Sequence, residues 1–113
     1  MLTPTPLRGE IWSADFGGKK HCVVVISLDA RNRSERVSSV LAVPFCSFGG
    51  HGLTSKRMEP GETGLPESSF LKAHFIQVLP KTCFLQRLPR RLSNAQMREV
   101  VAMVNRAIDP DAA

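Results

Sequence analysis

The chain has 113 residues, of which 42% are hydrophobic and 22% charged, and its formal net charge is +5. These values predict one globular domain with a single core and exclude a disordered protein. No apolar run approaches the roughly 20 residues of a membrane span, and residues 1–6 lack the layout of a signal peptide. We therefore expect a cytoplasmic protein that does not contact a membrane.

Two strands open the chain, joined by a basic loop. Residues 9–16 predict the first strand, because apolar and polar side chains alternate from Trp12 to Phe16. The β-branched run within residues 22–28 predicts the second strand. Two glycines end the first strand, and the loop that follows carries three basic side chains, Lys19, Lys20 and His21.

The middle of the chain predicts one strand between two irregular segments. Residues 29–36 are polar and predict a connection, and residues 37–46 predict the third strand. Pro44 lacks a backbone N–H, so it places this strand at a sheet edge or at a bulge. Residues 49–68 contain repeated Gly and Pro and predict a mobile loop or a short hairpin.

Two more strands and a helix follow. Residues 69–79 and 82–86 predict the strands. Ser93 with Gln96 forms a capping-box pattern, and apolar residues then recur at helical spacing: Met97, Val100, Val101, Val104 and Ile108. These elements predict a mainly β fold, in which five to seven short antiparallel strands curve toward a barrel and the helix covers one opening.

The cysteines and histidines do not predict a metal site. The three cysteines are odd in number and show no CxxC spacing, and the three histidines show no ligand spacing. We interpret the cysteines as free, buried thiols and predict neither a metal nor a cofactor. The residues concerned are Cys22, Cys46, Cys83, His21, His51 and His74.

The positive charge is concentrated toward the C-terminus. No acidic residue lies between Glu67 and Glu99, whereas six cations do: Lys72, Lys81, Arg87, Arg90, Arg91 and Arg98. Two interpretations are open. The stretch is either a solvated basic face or a surface that binds phosphates or an acidic protein segment.

Several blocks of sequence carry a resemblance to a known family. The first is Arg-Gly-Glu-Ile-Trp at residues 8–12, followed by the apolar run at 22–27. The others follow in order at residues 40–47, 63–66 and 92–97. Together they resemble the MazF/PemK-type toxins of type II toxin–antitoxin systems over residues 7–108.

The resemblance implies an SH3-like barrel and a metal-independent endoribonuclease. Such toxins form homodimers, cleave single-stranded RNA to 2′,3′-cyclic phosphate and 5′-hydroxyl ends, and are silenced by a cognate acidic antitoxin. Apolar surface on the third strand and the helix is a further reason to expect a homodimer.

The resemblance also points to catalytic residues. The arginine that the family has before its second strand falls on His21, with Lys20 just ahead of it. The family's threonine at the end of the third strand falls on Cys46, and the nearest hydroxyl is that of Ser47. An imidazole can act as acid or base, and an ammonium group can neutralise phosphate.

Several interpretations of these positions are open. His21 with Lys20 replaces the arginine and Ser47 the threonine, or the site is inactive and the barrel only binds RNA or protein. A shift of one or two residues in the alignment is a third. Cys46 with His21 also forms the pair that a Cys–His hydrolase needs, but without a third orienting residue.

Other residues suit RNA or antitoxin binding. Trp12 offers a stacking face for a base, although a place in the core or a dimer interface is the stronger interpretation. Phosphate contacts are assigned to Arg8, Lys19, Arg31, Arg33, Lys56 and Arg57, and antitoxin contacts to Arg87, Arg90 and Arg91. CcdB toxins share the fold but poison gyrase through a tryptophan-containing C-terminus. Residues 109–113 contain no tryptophan, which disfavours that function.

Overall fold

The computed structural model describes residues 3–112. It contains a seven-stranded antiparallel sheet, two single helical turns and one long C-terminal helix. The strands are β1 (Glu10–Phe16), β2 (Lys19–Val25), β3 (Ser39–Cys46), β4 (Ser55–Met58), β5 (Ser69–Lys72), β6 (Gln77–Pro80) and β7 (Phe84–Arg91). The helices are α1 (Asp29–Asn32), α2 (Pro60–Thr63) and α3 (Asn94–Ile108). The predicted mainly β class with a terminal helix is confirmed.

Strand β3 lies at the centre of the sheet. The strand order is β4-β5-β3-β2-β1-β7, and β6 also pairs with β3. The first half of β3, up to Ala42, pairs with β6, whereas its end pairs with β5 from Phe45 onward. Pro44 lies between these two pairings, where β3 changes partner. The predicted edge position of this strand is therefore wrong, but Pro44 does mark an irregularity.

Both faces of the sheet are buried, so the chain has two hydrophobic cores rather than the predicted single one. In β2, Val24 belongs to the core beneath helix α3, whereas Val23 and Val25 belong to the opposite core. Successive side chains of a strand point to opposite faces, which explains why this run is β-branched throughout. Helix α3 contributes four buried residues to the first core: Met97, Val100, Met103 and Val104.

Helix α3 begins where the sequence predicts. Ser93 Oγ accepts a hydrogen bond from the Gln96 N–H at 3.2 Å, and Gln96 Oε1 accepts one from the Ser93 N–H at 2.8 Å. This capping box satisfies backbone N–H groups that the first helical turn leaves unpaired. Within residues 3–112, no helix is long and apolar enough to cross a membrane.

Several element boundaries differ from those predicted. Strand β2 begins at Lys19, because the turn between β1 and β2 is reduced to Gly17 and Gly18, both with positive φ. The connection at 29–36 contains α1, and the excursion at 49–68 contains β4 and α2. Strand β4 pairs with β5, which lies beyond the excursion, so 49–68 supplies one strand of a hairpin rather than a whole hairpin.

The last strands also differ. The predicted strand at 69–79 is two strands, separated by a 3₁₀ turn at Ala73–Phe75, because its halves pair with opposite ends of β3. The final strand extends to Arg91 instead of ending at residue 86, since it pairs with β1 along that length.

Candidate active site

A groove opens where β2 and β3 separate. The two strands pair as far as Val23 and Pro44, and β3 then turns to pair with β5. The space between them has a volume of about 570 Å³ and three walls, formed by residues 19–22, 45–48 and 65–69. The four residues predicted to be catalytic all line it: Lys20, His21, Cys46 and Ser47.

His21 is held in the groove by an aromatic contact. It lies opposite Ala14 of β1, is half-buried, and stacks on the Phe16 ring with centroids 4.2 Å apart and planes 26° apart. Stacking engages the face of the imidazole and leaves its in-plane nitrogens free. Among the described residues, neither nitrogen has a hydrogen-bond partner, so both are available to a ligand in the groove.

Two lysines make this wall of the groove positive. Lys19 and Lys20 are exposed at the end of the β1–β2 hairpin. Neither forms an ion pair within residues 3–112, although Asp15 is the register partner of Lys20. Glu67 is the acidic residue of the groove lining, on the opposite wall. A phosphate between the walls would therefore meet more positive than negative charge.

The end of β3 supplies a thiol and a hydroxyl. Cys46 is half-buried opposite Phe70 of β5, and Ser47 is exposed just beyond the strand. The three cysteines are free and half-buried rather than fully buried. Burial raises the pKa of the Cys22 and Cys83 thiols, which keeps them protonated and unreactive near neutral pH.

An arginine reaches the far wall of the groove. Arg57 Nε lies 2.9 Å from Glu59 Oε1, and its Nη2 donates to Ser68 Oγ at 3.3 Å. Ser68 in turn donates to Glu59 Oε2. The hydrogen bond from Ser68 lowers the pKa of Glu59, and the Arg57 charge acts in the same direction. Arg57 thus lies beside the groove as predicted, with its charge shared with Glu59.

Trp12 lies in the core, which is the stronger of its two interpretations from the sequence, and Arg8 has a structural role that the RNA-binding prediction did not include. Trp12 is only 9% exposed, packs edge-on against Phe84, and donates its indole N–H to Glu10 Oε1 at 3.1 Å. Its ring offers no face to a base, so the predicted stacking is wrong. The Arg8 guanidinium donates to the Ile26 carbonyl and holds the N-terminal segment against the residue that follows β2.

Three other predicted RNA contacts lie away from the groove. Arg31 donates to the Ser39 carbonyl at 2.6 Å, and Lys56 pairs with Glu99 of helix α3 at 2.8 Å. Arg33 is exposed in the segment after α1. None of the three lines the groove.

The arginines predicted to bind the antitoxin lie on β7 and are exposed, but all three also contact other parts of the chain. Arg87 Nη1 lies 3.6 Å from Glu10 Oε2, and Arg91 donates to the Arg8 carbonyl at 2.7 Å. Arg90 packs over Gly64, where an added Cβ would lie 2.8 Å from the Arg90 Cγ.

The groove residues that the sequence does not single out as site residues include Phe48, Glu67 and Ser68. All three lie in or beside the Gly- and Pro-rich excursion, where no periodic pattern places a side chain. Within residues 3–112, no group of three or more His, Cys, Asp or Glu side chains is placed to hold a metal ion.

Comparison with known proteins identifies the family of this chain. Residues 7–108 match the family described as the PemK-like, MazF-like toxin of type II toxin–antitoxin system. The chain belongs to this family. No curated protein sequence matches it.

Solved structures of similar fold cover almost the whole chain. An endoribonuclease in complex with its cognate antitoxin, from a mycobacterial species, has a TM-score of 0.77 and 25% identity over 91% of this chain and 94% of that chain. MazE–MazF from Deinococcus radiodurans has a TM-score of 0.75 and 18% identity over 94% and 97%. The toxin MazF-mt6 from Mycobacterium tuberculosis has a TM-score of 0.75 and 17% identity over 88% and 96%. The last two similarities establish the fold alone.

Proposed function

We propose that the chain is a cytoplasmic endoribonuclease toxin, which cleaves single-stranded RNA without a metal ion and is silenced by a cognate acidic antitoxin. The observation that carries the proposal is the convergence of an imidazole, two ammonium groups and a hydroxyl in one groove at the separation of β2 and β3. The similarity to an endoribonuclease that is bound to its antitoxin supports it.

The reaction needs three contributions from the protein. The 2′-hydroxyl loses its proton and attacks phosphorus, so that a 2′-O–P bond forms as the P–O5′ bond breaks and O5′ takes up a proton. His21 is the acid–base group, since its ring nitrogens have no protein partner among the described residues. Lys20 offsets the charge that develops on the phosphoryl oxygens, and Ser47 donates a hydrogen bond to one of them.

With an imidazole at the position of the family's arginine, proton transfer and charge stabilisation would be carried out by two different side chains. An arginine remains charged and can only stabilise an anion, whereas an imidazole can also carry a proton. In this chain the adjacent lysines supply the fixed positive charge. His21 and Lys20 together therefore replace a single arginine, and Ser47 replaces the threonine whose position Cys46 occupies.

We also propose a homodimer, although its physical basis differs from the one expected. The apolar residues of β3 and α3 are mostly buried within the chain itself. Exposed apolar side chains occur instead at Val78 of β6, Leu85 of β7 and Ile108 at the end of α3. A monomer in sedimentation at micromolar concentration would contradict the homodimer.

The alternative function is a barrel that binds RNA or protein without cleaving it. The replacements at His21 and Cys46 favour it, because loss of the family's arginine and threonine would leave such a protein. A Cys–His hydrolase is disfavoured, since no described side chain hydrogen-bonds to His21 to orient it.

The deciding experiment is cleavage of labelled single-stranded RNA in EDTA, followed by end-group analysis. We expect fragments with 2′,3′-cyclic phosphate and 5′-hydroxyl ends. A wild-type protein that binds these RNAs but cuts none of a broad panel of sequences would leave the binding barrel as the function.

A further inference from the structure

A cluster of aromatic rings around a lysine lies next to the groove. Phe48 directly follows Ser47 and is 72% exposed, and Phe75 is 46% exposed in the 3₁₀ turn. Lys72 Nζ lies between them, 4.6 Å from the Phe48 ring centroid and 5.6 Å from that of Phe75. Phenylalanine side chains this exposed do not gain the free energy of burial within the chain. A ligand that covered them would remove this apolar surface from water, so the cluster is a candidate binding site.

Contacts with neighbouring residues fix the positions of the rings and of Lys72. His74 packs on Phe75 with ring centroids 4.3 Å apart, and its Nδ1 lies 3.0 Å from Thr54 Oγ1. Gly49, with φ of 145°, lets the loop after Phe48 approach Lys72 closely. A Cβ at this glycine would lie 2.9 Å from Lys72 Cε, so a larger residue would displace the lysine from the rings.

The cluster has the chemistry of a nucleotide subsite. Among the described residues Lys72 forms no ion pair with a carboxylate, so its charge is free for a phosphate. Base–aromatic stacking is tolerant of sequence, because every base has a π face. Phe48 itself lines the groove, so a strand bound there passes over its ring when it leaves the site beside Ser47.

We propose that the Phe48–Lys72–Phe75 cluster is an RNA subsite next to the scissile phosphate. A base of single-stranded RNA stacks on Phe48, and the adjoining backbone phosphate contacts Lys72. The inference rests on the proposed function of the groove, but it concerns binding and is testable without cleavage.

The test uses short 2′-O-methyl RNA oligonucleotides, which bind as RNA does but lack the hydroxyl nucleophile. Phe48→Ala should weaken their binding by roughly five- to hundredfold, the range of base–aromatic stacking. Lys72→Met keeps the contact with the rings and removes the charge, and should reduce the slope of log K against log salt by about 0.7. Leu28→Ala, a matched truncation of an exposed apolar residue outside the groove, should bind as wild type does.

Phe48→Trp tests the same contact by gain of signal. Trp12 is the one native tryptophan and is buried, so fluorescence that responds to the oligonucleotide beyond the wild-type response reports position 48. We expect retained affinity and quenching by the stacked base.

Unchanged oligonucleotide binding by Phe48→Ala would overturn the subsite. If Phe48→Ala weakens the binding of an acidic antitoxin peptide but not of the oligonucleotide, the cluster is a protein-docking surface and the subsite is likewise overturned. Wild-type protein that binds the oligonucleotide through Phe48 but cuts no RNA would overturn the nuclease function and leave the subsite standing.

Discussion

The groove and strand β7 are both basic, but they use their positive charges differently. Lys19 and Lys20 line the groove with no ion pair in the described part of the chain. On β7, Arg87 lies beside the buried Glu10, and Arg91 donates to the Arg8 carbonyl. A cation at the end of a hairpin remains available to a ligand, whereas a cation on the edge strand β7 also holds the chain together.

A large effect on cleavage should come from the end of β3. Ser47→Ala should lower RNA cleavage by roughly 10²-fold, because it removes a hydrogen bond made in the transition state. Cys46→Ser, its neighbour in the same wall, should be tolerated and can raise cleavage by restoring a hydroxyl at the family's position. Single-turnover cleavage in EDTA measures both. Equal losses in the two variants would assign the wall a structural role instead of a catalytic one.

A smaller effect is expected at the tip of the hairpin. Lys20→Ala should weaken RNA binding by about tenfold and lower cleavage further, since it removes a charged contact to phosphate that becomes stronger in the transition state. Lys56→Ala is the matched control, because Lys56 is paired with Glu99 outside the groove. Fluorescence anisotropy at several salt concentrations measures the binding. If Lys56→Ala weakens RNA binding as much as Lys20→Ala does, RNA does not bind preferentially to the cations of the groove.

Antitoxin binding tests the other region. Reversing Arg90 and Arg91 to Glu should weaken antitoxin binding by about fivefold at low salt and make it less salt-dependent, as expected for two exposed ion pairs. Arg36→Glu, an exposed cation outside this basic stretch, is the control. The free energy of unfolding must be measured alongside, because Arg91 also donates to Arg8. Unchanged affinity would place the antitoxin elsewhere.

The smallest effect concerns stability in acid. Burial acts to raise the pKa of Asp29, but hydrogen bonds from the Arg8 N–H and Asn32 and the charges of Arg33 and Arg91 hold it below its ordinary value. A lowered folded-state pKa adds stability above the ordinary aspartate pKa of about 3.9, and this stability is lost as pH falls.

Urea unfolding at neutral and acid pH measures this contribution. The wild type should lose more of its free energy of unfolding on acidification than Asp29→Asn does. An equal loss in the two proteins would show that Asp29 contributes nothing to the acid sensitivity.

Local patterns were sufficient for the elements at the two ends of the chain. Alternation located β1, and the capping box with helical spacing located α3, because both signals lie within a few neighbouring residues. The interruption at Ala73–Phe75 was not predictable in this way, since it arises where β5 and β6 pair with different halves of β3. That pairing is long-range and leaves no local period.

The same limit explains which site residues could be predicted. His21, Lys20, Cys46 and Ser47 come from two segments whose order along the chain resembles the family, and they do meet in one groove. Arg8 was assigned to RNA because its charge is visible in sequence, whereas its contact with the Ile26 carbonyl, 18 residues away, is not. Phe48 was missed because a lone aromatic in a glycine-rich loop has no pattern of its own.

The most direct test compares His21→Ala with His51→Ala on one labelled single-stranded RNA in EDTA. Both variants remove an imidazole, but only His21 lines the groove. Cleavage by His21→Ala should fall by roughly 10²-fold or more while RNA binding stays within about twofold of wild type, as for the loss of an acid–base group. His51→Ala should cleave as wild type does. Wild-type cleavage by His21→Ala, or a loss of binding as large as the loss of cleavage, would contradict a catalytic imidazole in this groove.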